Sequence, residues 1–127
     1  MPEAPYDLLG GDAAVHRLVT RFYNLMDSVP EYYIIRKLHP ADLAGSREKL
    51  YLFLSGWLGG PQLYAEKFGH PMLRARHLPF AIGLAERDAW LACMKQAMSD
   101  CAIEAGLKMG LLDSLFKTAD WMRNKEG

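Results

Sequence analysis

Cysteine is scarce in this 127-residue chain, which has only Cys93 and Cys101. If one helix carries both, their α-carbons stand about 12 Å apart, well beyond the roughly 4.4–6.8 Å of a disulfide. Neither belongs to a CxxC pair and no HExxH occurs, so the usual zinc patterns are missing. The two cysteines are spaced for one helical face and read as small core residues. Net charge is missing as well, because 15 Lys and Arg balance 15 Asp and Glu. No global field therefore draws the chain to nucleic acid or to an anionic membrane. No apolar run reaches the 18 or so residues of a bilayer span. The opening MPEAPYDLLGG has no basic stretch followed by an apolar core, so no signal peptide is expected and a cytoplasmic location is. Internal repeats, low-complexity tracts, linkers and convincing strands are also lacking.

What is present is apolar and helical. Half of the residues are hydrophobic, enough for a single domain over 1–127 with a substantial core. In GGDAAVHRLVTRFYNLMDSVP, Asp12 is a good N-cap, and Val15, Leu18, Val19, Phe22 and Met26 recur at helical spacing until Pro30. Tyr23 flanks that face, where its hydroxyl would want a partner. EYYIIRKLHPADLAG predicts a short helix or turn ending near His39. SREKLYLFLSGWLGGP predicts a helix capped by Gly45 or Ser46, with Leu50, Phe53, Leu54 and Trp57 on one face. GGPQLYAEKFGHP reads as a loop around one helical turn. Pro71 and Pro79 bracket about two turns of helix. In AERDAWLACMKQAMSDCAIEAG, Trp90, Cys93, Met94, Ala97, Met98, Cys101 and Ala102 form one stripe, and Gly106 is the expected stop. A last helix, LLDSLFKTADWMRNK, sets Leu112, Leu115, Phe116, Ala119 and Met122 on one side. The expected fold class is all-α, with ligand sites between helices.

RARHLPFAIG, at positions 74–83, is the segment with the sharpest chemistry. It places one imidazole, His77, in the last turn before Pro79, among Leu73, Leu78, Phe80 and Ile82 and flanked by Arg74 and Arg76. A neutral imidazole in such surroundings suits iron, and nearby cations suit carboxylates on the same ligand. Its other ring nitrogen would then donate to an acceptor such as the Leu73 carbonyl. A satisfied core histidine is the competing reading. His16 reads as solvated surface and His70, before Pro71, as local structure. Phe22, Leu50, Phe53, Leu54, Phe80, Trp90, Met94 and Met98 could wrap a flat apolar ring, and Tyr23, His39, Ser46 and Trp90 could supply polar atoms to one side of it.

Six segments, YDLLGG, RFYNLM, LHPADLAG, FLSGWLGGP, YAEKFGHPMLRARHLPFAIG and ERDAWLACM, resemble in order those of group II truncated haemoglobins, over roughly residues 6 to 101. The resemblance implies a two-over-two helical sandwich around haem b. It makes His77 the proximal iron ligand and puts Tyr23 and Trp90 in the distal pocket, with His39 at a variable distal position and Ser46 at the usual distal-histidine site. Leu50, Phe53, Leu54 and Trp57 would line the distal helix. Phe80 and Met94 would line the cavity, and Lys49, Tyr64 and Arg76 would meet the propionates. The implied function is reversible binding of dioxygen and related small ligands, in a pocket suited to oxygen, nitric oxide or peroxide chemistry. Carbon monoxide is a further expected ligand and an unidentified reductase an expected partner. Nitric oxide dioxygenase or peroxidase activity is an open expectation. The alternative is an electron-transfer or sensor protein with six-coordinate iron.

Overall fold

The computed structural model describes residues 3–125, so the first two and last two positions of the expected 1–127 domain lie outside the described residues. In chain order the helices are α1 (Pro5–Leu9), α2 (Asp12–Ser28), a 3-10 turn (Pro30–Tyr32), α3 (Tyr33–Arg36), α4 (Ala44–Trp57), α5 (Leu63–Phe68), α6 (Leu73–His77), α7 (Leu84–Asp100) and α8 (Ala105–Trp121). There is no strand among the described residues. The main pairings are α2 with α4 and α7 with α8, joined by the packing of α2 on α7. This is the two-over-two sandwich.

The core follows the stripes of the two strongest helices. Val15, Leu18, Val19, Phe22 and Met26 from α2 meet Cys93, Met94, Ala97 and Met98 from α7, all essentially without solvent exposure. Complete burial of a large apolar side chain stabilises by roughly 1.5–3 kcal/mol, so this seam dominates the fold. Cys93 donates its thiol to the Phe22 carbonyl at 3.3 Å, and burial pushes that thiol up to about 12. Cys93 is thus an inert core group. Cys101 stands just beyond α7 as its C-cap, and both cysteines are free. No described helix is long and apolar enough to cross a membrane.

Several boundaries differ from expectation for local reasons. Asp12 is the first residue of α2 instead of its cap, and its carboxylate accepts the Tyr51 hydroxyl of α4. Gly45 and Ser46 lie inside α4, because the Asp42 carboxylate already takes the Ala44 amide and starts the helix earlier. α6 begins two residues after Pro71, from Met72 in the left-handed region at φ 48°. α7 stops near Asp100, well before Gly106, which instead belongs to α8. There Glu104 caps α8 by accepting from the amides of Gly106 and Leu107, each at 2.8 Å. The buried face of α8 is Leu111 and Leu115, with Met122 buried just beyond its end. Phe116 turns outward, with the Arg87 guanidinium 4.8 Å from its ring centre.

Candidate functional site

α2 and α7 deliver the polar side of the site through their shared core. Phe22, with no exposure, touches Tyr23 at 5.0 Å and Trp90 at 5.2 Å between ring centres. Tyr23 in turn meets the His39 ring edge to face at 5.8 Å. Three residues far apart in sequence, Tyr23, His39 and Trp90, are therefore gathered around one phenylalanine. Ser46 lies in the first turns of α4, half-buried, and its hydroxyl makes no hydrogen bond among the described residues.

The protonation of this group follows from burial. Tyr23 is 5% exposed, and desolvation pushes its phenol well above the usual range, so the hydroxyl keeps its proton. Neither that hydroxyl nor the Trp90 indole has a hydrogen-bond partner among the described residues, and yet no described polar side-chain atom is both sealed and unpaired. Both donors therefore border open space. His39 is held below the ordinary histidine value, first by burial, which outweighs the opposing Ile35 carbonyl, and further by the Arg36 guanidinium. Its Nδ1 lies 2.7 Å from the Ile35 carbonyl. A neutral ring must put its proton there, which leaves Nε2 as an acceptor. The polar atom that a neutral His39 presents to this group is accordingly an acceptor.

His77 is the last residue of α6 and is partly buried. Its Nδ1 stands 2.6 Å from the Leu73 carbonyl. That bond fixes the tautomer and leaves the Nε2 lone pair without a partner, the arrangement a metal-ligating imidazole requires. Leu78, Phe80 and Leu84, which follow it in the chain, are large exposed apolar side chains. No cluster of three or more His, Cys, Asp or Glu suited to a metal occurs among the described residues. The donor set thus fits an ion that arrives already ligated, with one imidazole and an apolar surround, and this is what haem iron needs.

The remaining expected contacts divide. Leu54 and Met94 are buried, Leu50 and Phe53 are half-buried against the core, and Phe80 is exposed. Tyr64 is buried, meets Phe53 at 6.5 Å, and has the Arg76 guanidinium 5.8 Å above its ring. Tyr64 and Arg76 are therefore together, whereas Lys49 stands exposed on α4 and is tied to neither. Arg76 also donates to the Pro71 carbonyl at 2.8 Å. His70 accepts the Met72 amide at 3.0 Å, a purely local role. His16 lies on the surface, stacked on Tyr51 at 3.7 Å.

Sequence reasoning missed the end of the chain. The Asn124 side chain donates to the His77 and Phe80 carbonyls at 3.3 and 2.7 Å and accepts the Ile82 amide at 3.0 Å. Arg74 donates to the Trp121 carbonyl at 2.5 Å and lies over its indole. These ties hold the whole His77 segment against the end of α8. A lone asparagine after a helix carries no spacing signal that could have announced this.

The bacterial-like globin family model matches residues 4–124. The group 2 truncated haemoglobin YjbI of Bacillus subtilis is 43% identical over 122 residues, covering 96% of this chain and 89% of that protein. The group II 2-on-2 haemoglobin of Agrobacterium tumefaciens superposes with a TM-score of 0.94 at 46% identity, covering 99% of this chain and 97% of that one. The truncated oxygen-avid haemoglobin of Bacillus subtilis superposes with a TM-score of 0.88 at 43% identity, covering 96% and 100%.

Proposed function

From the premise that this chain belongs to the group II truncated haemoglobins, with haem b as cofactor, we propose that it binds dioxygen and related diatomics reversibly, in a pocket suited to oxygen, nitric oxide or peroxide chemistry. The carrying observation is the pairing of a free His77 Nε2 with two unpartnered donors, Tyr23 and Trp90. When bound, ferrous haem supplies an open coordination position and an electron. The chain's own residues do the rest. His77 would hold the iron, and its Nδ1–H bond to Leu73 fixes the ring plane and raises its basicity. Tyr23 and Trp90 would donate to the ligand through O–H and N–H. Tyr23 keeps its proton across the physiological range because burial has raised it. His39 presents only an acceptor, so its part is to position Tyr23. Arg76, Tyr64 and Lys49 would meet the propionates.

Hydrogen bonds to a charged partner are worth about 1.5–3 kcal/mol each, and 1.4 kcal/mol is tenfold in a rate or equilibrium. Two such donors slow ligand release by several powers of ten. That favours chemistry on a retained ligand, such as nitric oxide or peroxide turnover with electrons from a reductase, over oxygen delivery.

Two variants test this reading. His77→Gly should lose the Soret band of the purified protein and regain it with added imidazole; an unchanged band removes His77 from the iron. Trp90→Phe should raise the dioxygen dissociation rate by one to two powers of ten, the equivalent of about 1.5–3 kcal/mol. Carbon monoxide carries less charge when bound, so its release should change far less. Equal effects on the two gases would make Trp90 a steric gate and end the argument from polarity. The six-coordinate alternative has one observation in its favour, the free Nε2 of His39. Low-spin spectra that vanish in His39→Ala would select it.

A further inference from the structure

α8 carries apolar residues on two sides. Leu111 and Leu115 turn inward and are buried. Met109, Leu112 and Phe116 stand at i, i+3 and i+7 and share a second face. Met109 is 69% exposed and Phe116 42%. A helix that packs on the core through one side needs one apolar stripe, and a second stripe calls for a second partner. α7 borders this outer face. Leu91, Ala92 and Lys95 of α7 and Leu112, Asp113 and Phe116 of α8 line an open groove of about 310 Å³. Contiguous apolar side chains left in water mark a contact with another protein.

The charges of the groove say which protein. They stand on opposite walls, Lys95 on α7 and Asp113 on α8. Among the described residues no ion pair includes Lys95. Asp113 meets Lys117 at 3.3 Å, with both side chains at least 70% exposed. Such a pair contributes little and exchanges readily. A groove with one sign on each wall is complementary to itself. A two-fold axis along it sets Lys95 of each copy opposite Asp113 of the other, and lays Leu91 and Ala92 against the second copy's Leu112 and Phe116. The formal net charge of zero leaves no overall repulsion between two copies.

We propose that the groove between α7 and α8 is the interface of a two-fold symmetric homodimer. The proposal does not rest on the haem reading, because none of its residues belongs to the candidate haem site. Two 17-residue helices side by side offer a face of about 20 by 25 Å. That is the size of a weak, reversible interface, so the expected dissociation constant is about micromolar.

The test is sedimentation velocity on the purified protein, in a concentration series that spans the micromolar range. The wild-type chain should pass from monomer to dimer as concentration rises. Phe116→Glu puts a charge on the apolar floor and should keep the chain monomeric throughout. Lys95→Asp and Asp113→Lys each set like charges opposite one another and should weaken association at least tenfold. Both positions are exposed, so the melting temperature of either variant should match that of wild type. An equimolar mixture of these two variants restores both opposite-charge pairs in a mixed dimer, and it should associate as wild type does. A wild-type chain that stays monomeric at every concentration overturns the proposal and leaves the groove to a different protein. Dimers that ignore all three substitutions place the interface on another face, which also overturns it. A mixture that stays as weak as its two components overturns the two-fold pairing of Lys95 with Asp113.

Discussion

On the Tyr23 side of the site, long helices meet through side chains that water does not reach. Phe22 and Met94 have no exposure, and Leu18, Val19 and Met98 almost none. On the His77 side, α6 is five residues long and contributes no buried residue. It is held instead by Asn124, by Arg74 on the Trp121 carbonyl, and by the internal bond from His77 to Leu73. Apolar packing is worth several kcal/mol per large side chain and resists local opening. Polar ties contribute about 1 kcal/mol each and sit near the surface, where water competes for them. The proposed ligand donors, Tyr23 and Trp90, are therefore mounted on the rigid half of the molecule, and the proposed iron ligand, His77, on the half that opens most readily.

The strongest way to break this contrast is to hollow out the rigid half. Phe22→Ala should cost about 3–5 kcal/mol in urea unfolding of the haem-free chain, as a large core truncation does. It should also release both Tyr23 and Trp90 from their common support. A loss below 1 kcal/mol would mean that the core seam does not carry the fold.

Removing the polar clamp should act differently. Asn124→Ala leaves the Phe80 carbonyl without a donor and the Ile82 amide without an acceptor, each a loss of about 1–3 kcal/mol if water cannot replace it. Amide hydrogen exchange around Ile82 should quicken at least tenfold, while α2 amides keep their rate. A uniform rise across the chain would show that the two halves unfold together and that the contrast is false.

The smallest effect is one of pH. His39 has its folded-state value below the usual 6.5, so the unfolded chain binds the proton more readily. Its contribution to stability is fully present above the unfolded value and is lost as pH falls through the folded one. His39→Gln should flatten the acid side of the stability curve below about pH 6.5. An unaltered slope would assign that side to other groups.

The rigid half was legible in the sequence because its apolar spacing is unambiguous. In α2 the apolar residues fall in pairs, Leu18–Val19, Phe22–Tyr23 and Leu25–Met26, separated by polar residues, so only one face can turn inward; in α7, where 89–94 is an unbroken apolar run, the polar Lys95, Gln96, Ser99 and Asp100 mark the outer face. α8 was not legible in the same way. Leu111 and Leu112 adjoin, so the stripe can start at either, and the choice is made by α7 and by Arg87 covering Phe116. Glu104 went unread as a cap because serine, threonine, aspartate and asparagine are the usual ones. His77 stood out through its two bracketing prolines and its apolar neighbours. Its bond to Leu73 followed from helical geometry, whereas its clamp, Asn124, is 47 residues away and depends wholly on the tertiary fold. That His39 presents an acceptor was not legible for a local reason: a nearby carbonyl at Ile35 takes the one proton a neutral ring has to give.

The asparagine clamp also sets an order of assembly. Chains emerge N-terminus first, at roughly 5–20 residues per second. Asn124 is made after every residue it holds, so during synthesis the segment from His77 to Ile82 exists for a time without its fastener. The helices bearing Tyr23 and Trp90 can already be paired at that moment. A firmly seated His77 is thus a late event of synthesis, timed by the emergence of Asn124, 47 residues after it.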